Sequence, residues 1–393
     1  MELRYFDHAA TTPVNKEVLN SMLPFFSKNY GNASAIYSLG QDSRKQIEDS
    51  REKIANIIGA KPEEIYFTSC GSESDNTAIK GIARANMKKG NHIITSKIEH
   101  PAILESCKSL EKEGFEITYL NVDENGIINL EELKKSIKDT TILISIMFAN
   151  NEVGTIEPIK EIGNIARENN IVFHTDAVQA MGSIKINVDE LNLDSLSMSA
   201  HKFYGPKGIG ALYVRKNVRF NKYIDGGHQE KNKRAGTENV PLIIGMAKAL
   251  ELAYSNLENN NKHLKELRDY YIQKIRDKIS YIKINGDMTN RLSNNANISF
   301  RFIEGESLLL NLDLIGICAS SGSACTSGSL DPSHVLLAMG ISHEIAHGSL
   351  RISFGLENTR EDVEFLVENL CKIVNKLREM SPLYEDFLNE KNK

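Results

Sequence analysis

Seven short runs rich in β-branched and apolar residues, at 65–68, 93–95, 117–120, 142–148, 171–173, 195–198 and 211–214, alternate with segments of helical period. That alternation constrains this chain more than any other feature. Such runs, spaced by helices, predict a mainly parallel seven-stranded sheet covered by helices on both faces. Helices are expected over 73–89, stopped by Gly90, and over 102–113, stopped by Gly114, with each glycine as a left-handed cap. From 241 to 278 one long helical stretch without strand signals reads as a hinge helix. New strands follow at 297–302 and 350–354, then an amphipathic helix over 360–380. The fold expected is therefore α/β: a large cofactor-binding domain at 15–255, and a smaller α+β domain made of 1–14 and 256–393. The small domain carries a Ser/Gly-rich loop at about 319–332.

The 393 residues suffice for two such domains, and 41% hydrophobic with 25% charged residues is ordinary for a folded globular chain. A formal charge of −5 offers no basic field for nucleic acid, although Lys231, Lys233 and Arg234 cluster locally. Five cysteines without a C-x-x-C pair do not form a disulfide framework, so a reducing compartment is expected. The longest apolar stretch, 308–317, contains Asn311 and Asp313 and falls well short of the roughly 20 residues of a membrane span. No apolar targeting region follows the start. A cytoplasmic protein with no membrane and no direct nucleic-acid partner is expected.

Four clusters fall at the ends of predicted strands, where open α/β sheets bind ligands. Thr68-Ser69-Cys70-Gly71-Ser72-Glu73 turns from strand to helix, and free amides there suit a phosphate or an ordinary N-cap. His174-Thr175-Asp176-Ala177-Val178-Gln179 places an acid at a strand end; His174 and Asp176 share a face, so a metal pair is one reading and a cationic ring nitrogen the other. In Ser199-Ala200-His201-Lys202-Phe203, a lysine among small and apolar residues suits a Schiff base, with a solvated loop lysine as the bland alternative. Ala319 to Gly328 surrounds Cys325 with small residues, which favours a reactive thiol. Cys107, Cys318 and Cys371 are expected to be buried and inert. Cys70, beside the first turn, reads as structural or functional.

Taken in order, these clusters resemble the class V aminotransferases, and within them the cysteine desulfurases of iron-sulfur biogenesis. The resemblance runs from Asp7-His8-Ala9-Ala10-Thr11-Thr12 through Gly31-Asn32-Ala33, Glu99-His100-Pro101, Asn150-Asn151-Glu152 and Arg234-Ala235-Gly236-Thr237 to Leu350-Arg351-Ile352. It implies pyridoxal 5'-phosphate held by Lys202 through a Schiff base, Asp176 on the ring nitrogen, Gln179 on the ring hydroxyl and His100 stacked on the ring as an acid-base group. Gly71, Ser72, Ser199 and His201 would take the phosphate, with Thr237 reaching over from a second subunit of a homodimer. Arg351, Asn151 and Asn32 would bind the carboxylate of L-cysteine. Cys325 would receive the sulfur as a persulfide, releasing alanine, and pass it to an acceptor protein such as an iron-sulfur scaffold or a tRNA-thiolation enzyme.

No intrinsic metal is implied; Cys325 would at most ligate an iron-sulfur cluster transiently. Ser72 stands where the family often has threonine, Cys70 where glycine is frequent, and the 383–393 tail lacks a scaffold-docking pattern. A selenocysteine lyase or plain aminotransferase would share Lys202 and Asp176 without needing Cys325, and a thiol or metal-binding protein would use the histidines instead.

Overall fold

The computed structural model describes residues 3–321 and 332–391. Its strands are β1 (Arg4–Tyr5), β2 (Ile65–Thr68), β3 (His92–Ser96), β4 (Glu116–Leu120), β5 (Thr141–Ser145), β6 (Val172–Asp176), β7 (Ser195–Ser199), β8 (Gly210–Val214), β9 (Ile282–Asn285), β10 (Asn295–Phe300), β11 (Ile317–Cys318) and β12 (Ser349–Ser353). Seven of them form the central sheet in the order β2-β8-β7-β6-β5-β3-β4. Only β8 runs against its neighbours. Consequently the C-terminal ends of β2, β3, β5, β6 and β7 all lie along one edge, and the strands β3, β5, β7 and β8 are buried throughout, as sheets covered on both faces require.

The expected sheet is present, with local differences. The 142–148 run leaves the ladder after Ser145. The amides of Ile146 and Phe148 still donate to the carbonyls of His174 and Asp176 before the chain turns. The expected single helix over 241–278 is two, Val240–Ser255 and Leu257–Lys278. Asn256 separates them at φ −121° and ψ 17°, its side chain donating to Ser255 Oγ at 3.3 Å, a local bond that competes with the helix. Gly114 does adopt the left-handed conformation, at φ +91°. Gly90 does not: the preceding helix, Gly71–Asn86, has already ended. Gly90 is required by proximity, because a Cβ there would lie 2.2 Å from the Thr140 carbonyl oxygen.

A second sheet, ordered β12-β10-β9, and the parallel β1-β11 ribbon belong to a separate packing unit. Its core joins Phe6 to Tyr271, Ile298, Phe300, Leu350, Phe354 and Leu366, all but unexposed. The larger core runs from Val18 to Leu250 across the central sheet. A further cluster packs Ile79, Ile82, Ile93, Leu143 and Leu212, and a small one joins Ile98, Met147 and Val153 to Val335, Leu336 and Met339; each fully buried aliphatic or aromatic side chain contributes about 1.5–3 kcal/mol.

Candidate active site

At the end of β2 the chain passes through Cys70 into the Gly71–Asn86 helix. Cys70 is extended (φ −172°, ψ 173°) and makes no side-chain cap, so the first helix amides remain available to an anion. Gly71 leaves room for close packing: a Cβ would meet Val178 Cγ2 at 2.8 Å and Ser199 Cβ at 3.5 Å. Ser199, at the end of β7, has a buried Oγ without a hydrogen-bond partner. Beyond it, His201 Nδ1 lies 3.2 Å from Thr11 Oγ1, and burial beside Lys202 and Lys207 pushes its pKa down to about 4, so the ring is neutral.

Lys202 follows in the same turn. Its Nζ donates to the carbonyls of Ala9 (2.6 Å) and Ala10 (2.8 Å), and Gln179 Nε2 donates to the same Ala9 carbonyl at 2.9 Å. The N-terminal segment thus holds the lysine, a role that sequence reading, which took it only as a family signature, did not give it. Tyr204, two residues on, sits at φ +64°, its amide donating to Thr12 Oγ1 at 2.8 Å. A bulky residue in that conformation is strained and has to be held by its surroundings.

Asp176 closes β6, 6% exposed, its Oδ1 accepting from the Val178 amide at 2.9 Å. Burial raises its pKa, while His100, that amide and Lys202 pull it down. Asp75, one helical turn beyond Gly71 and facing the same cavity, went unnoticed in the sequence although its spacing from Gly71 and Ser72 was the available signal. Burial first, and Asp176 next, hold its carboxyl well above the usual range. His100 caps the Pro101–Glu111 helix, with Nδ1 accepting from the Ala102 amide at 3.1 Å. That bond leaves the ring proton on Nε2, and burial lowers the pKa of the imidazole, so it enters the cavity neutral.

The residues Asp75, His100 and Asp176 each offer a ligand atom within 4.8 Å of the others, a spacing that suits a cation or a protonated ring nitrogen alike. His174, the other half of the expected metal pair, is not available. Its two ring nitrogens face Ser145 Oγ (2.9 Å) and Ser197 Oγ (3.0 Å), and complete burial pushes its pKa down to about 3.

Arg351, on β12 and 2% exposed, extends Nη2 to Asp7 Oδ1 at 2.7 Å and Nη1 to the Asn151 carbonyl at 3.1 Å. Gly71, Ser72, His100, Asn151, Asp176, Gln179, Ser199, His201, Lys202 and Arg351 therefore line one cavity of about 240 Å³, together with Cys70 and Asp75. Two expected site residues are not in it. Thr237 is exposed, and Asn32 is exposed with Oδ1 accepting from the Ser34 amide at 2.9 Å. Cys325 lies outside the described residues. Of the cysteines expected to be buried, Cys107 is; Cys318 and Cys371 are only half-buried, at the margins of the second core.

Residues 4–366 match the model of the Aminotransferase class-V family. The chain belongs to that family, whose cofactor is pyridoxal phosphate. Among its relatives is the cysteine desulfurase IscS of Clostridium botulinum, 56% identical over 389 residues and 98% of each chain. Another is the cysteine desulfurase IscS of Methanosarcina thermophila, 58% identical over 96% of this chain and 94% of that one. A solved NifS-like protein superposes with a TM-score of 0.90 at 39% identity, covering 96% of this chain and all of the other. SspA, solved in complex with cysteine, superposes at 0.79 with 41% identity over 89% of this chain and 98% of its own.

The cavity fits the cofactor on its own terms. An uncapped helix start and the unpartnered Ser199 Oγ suit a phosphate, a buried carboxylate suits a cationic ring nitrogen, and a lysine amine lines the same cavity as Arg351.

Proposed function

We propose that this cysteine desulfurase, which converts L-cysteine to alanine, divides its work among the cavity residues as follows. Lys202 anchors pyridoxal phosphate and later shuttles protons at the substrate carbons. Asp176 pairs with the ring nitrogen, Gln179 with the ring hydroxyl, and His100 covers the ring face. Gly71, Ser72, Ser199 and His201 hold the phosphate. The observation that carries the assignment is the single cavity wall joining Lys202, Asp176, His100 and Arg351.

When bound, the cofactor supplies an electron sink for negative charge developing next to the amino group. The protein does the rest. Arg351, fixed by Asp7 and the Asn151 carbonyl, presents its guanidinium to the substrate carboxylate and so orients the substrate in the cavity. Asn151, on the same cavity wall, assists at that carboxylate. His100, neutral with hydrogen on Nε2, exchanges a proton with the substrate sulfur. Cys325 attacks as the thiolate: a sulfur–sulfur bond forms, the carbon–sulfur bond of the substrate breaks, and its electron pair stays with the carbon that becomes the alanine methyl. Free cysteine and the Cys325 thiol go in; alanine and the Cys325 persulfide come out.

The persulfide passes to an acceptor protein, an iron-sulfur scaffold or a tRNA-thiolation enzyme, and Cys325 can ligate a nascent cluster in transit. Two chains form a homodimer in which Thr237 reaches the phosphate of the other subunit. Residues 15–255 form the cofactor domain; 1–14 and 256–393 form the small domain, a division supported by the two separate cores and the break at Asn256. No helix among the described residues is long and apolar enough to cross a membrane, which supports a cytoplasmic setting.

The test is a visible spectrum before and after L-cysteine with a reductant, beside assays for sulfide and alanine. A cofactor band that shifts, with sulfide and alanine in equal amounts, is expected. A band without sulfide would redirect the reading to another class V enzyme.

A further inference from the structure

Glu230, Lys231 and Asn232 take φ values of +45°, +56° and +64° in succession. L-residues visit that region singly, so three in a row persist only where neighbouring contacts impose them. The imposing contact is Glu230. It is 7% exposed, with Oε1 accepting from Arg51 Nη2 at 2.7 Å, and Oε2 accepting from Arg51 Nη1 at 2.7 Å and from the Phe67 amide at 2.8 Å. Arg51, 3% exposed on the Ser38–Ile58 helix, also donates to the Ile65 carbonyl at 2.7 Å. A carboxylate and a guanidinium therefore stand where a neighbouring strand would, along the outer edge of β2.

What the turn projects is the 234–238 segment. Gln229 Oε1 accepts from the Gly236 amide at 3.1 Å, and Arg234 Nε donates to Glu73 Oε1 at 2.9 Å, Glu73 lying in the first turn of the helix that starts at Gly71. Thr237 follows within the same segment, is exposed and does not line the cavity of its own chain. We propose that the Arg51–Glu230 pair is a positioning device for Thr237, holding the strained turn so that the hydroxyl is delivered at a fixed place to the phosphate site of the partner subunit. The proposal rests on the reading, made above, that Thr237 acts across a homodimer. It assigns to a buried ion pair, Arg51 far in sequence from the motif and Glu230 just before it, an effect felt in the other subunit's site.

A merely structural pair capping β2 would act on its own chain, through Phe67 and the Gly71 turn; a positioning pair acts on the partner. Mixed dimers with two affinity tags separate the two. The variant is Arg51→Met with Glu230→Gln, which removes both charges together and so avoids stranding one in the interior. Melting and mass measurements verify that it folds and dimerises. In the first mixed dimer, a wild-type chain is paired with a chain carrying Lys202→Ala and the double change. Its one lysine-bearing site receives Thr237 from the altered chain. In the second, a Lys202→Ala chain is paired with a chain carrying only the double change, and its one lysine-bearing site receives an unaltered Thr237.

The readout is pyridoxal phosphate fixed to Lys202 by borohydride as a function of its concentration. In the first dimer the half-saturating concentration should rise about tenfold, the weight of one hydrogen bond to a charged group. The second should match a dimer of wild type with Lys202→Ala. The reverse pattern, or equal loss in both, would overturn the proposal. The same two dimers made with Thr237→Ala in place of the double change tell the two failures apart. If Thr237→Ala also weakens only its own chain's site, the cross-subunit reading has failed with it; if Thr237→Ala acts on the partner while the pair does not, the positioning role alone has failed.

Discussion

Arg351 Nη2 stands 2.7 Å from Asp7 Oδ1 while Arg351 Nε is buried without a hydrogen-bond partner. Asp7 thus holds the guanidinium through Nη2 while the neighbouring Nε on the same edge is left unsatisfied. Burying a charged group with an idle donor is unfavourable unless a ligand completes it. In the proposed reading a substrate carboxylate supplies that ligand, and Asp7 orients the guanidinium that meets it.

Replacing Arg351 by lysine keeps the charge and loses the planar fork. We expect kcat/KM for L-cysteine to fall about a hundredfold, the loss of roughly two charge-assisted hydrogen bonds. Asp7→Asn keeps the shape and removes the charge behind the fork, so KM should rise by about tenfold or less with kcat changed less. Steady-state kinetics on both variants check this. Equal KM for Asp7→Asn and the unaltered protein would deny Asp7 its orienting role.

The pH dependence of stability has a definite sign in the cofactor-free protein. Burial pushes the Glu99 carboxyl up to about 8, against the bonds from Ser96 and the Met147 amide. Its folded pKa exceeds its unfolded one, so the folded state binds the extra proton. The stabilisation is present in full below about 4.5 and is lost as pH rises to about 8, at up to roughly 1.4 kcal/mol per pH unit. Glu157, also pushed to about 8, adds to the same fall. His174 works on the acid side: with its folded pKa pushed down to about 3, its contribution is present above about 6.5 and lost as pH falls towards 3. Glu99→Gln should therefore flatten the decline between pH 5 and 8, measured by urea titration at each pH. An unchanged slope would mean that Glu99 is ionised in the fold.

The strands were legible because period and β-branching survive burial on both sides of a sheet. Lys202, Asp176, His100 and Arg351 were legible because reactive side chains stand out at strand ends and in family motifs. Asp7 and Ala9 were not: their contributions are a carboxylate behind Arg351 and a carbonyl on Lys202, and such roles depend on folding the chain back onto the N-terminus over 344 and 193 residues. Glu230 was invisible for the same reason, being paired with Arg51 at a separation of 179 residues. The break at Asn256 was missed because helical period continues through it on both sides, and only the local bond of one amide side chain interrupts it.

Gly90 and Gly114 look alike in sequence, each following a helix, and differ in what an added methyl would meet. Gly114→Ala faces open space but must keep φ near +91°, so it should cost about 1 kcal/mol. Gly90→Ala drives a Cβ onto the Thr140 carbonyl oxygen and forces the β3 and β5 ends apart, so about 1–3 kcal/mol or more is expected. Thermal melts of the two variants rank them. If Gly114→Ala proved the more damaging, close approach at Gly90 would not be the reason for glycine there.

In the proposed reading Lys202 serves the cofactor and Cys325 the sulfur, and two variants should separate the halves. Lys202→Ala removes the amine that Ala9 and Ala10 hold in the cavity, while Ser199, Asp176 and the Gly71 turn remain. It should still bind pyridoxal phosphate, but without a borohydride-reducible link to the protein, and should release no alanine. A retained link with full activity would reassign the lysine. Cys325→Ser leaves every described cavity residue in place. It should keep the yellow cofactor and the spectral response to L-cysteine, yet lose sulfide and alanine together, because breaking the carbon–sulfur bond requires a thiolate to accept the sulfur. A hydroxyl is a far poorer nucleophile at neutral pH, so the expected loss is at least about a hundredfold. Normal sulfide release from Cys325→Ser would place the sulfur acceptor elsewhere, and Cys70 on the cavity wall would be the next thiol to replace.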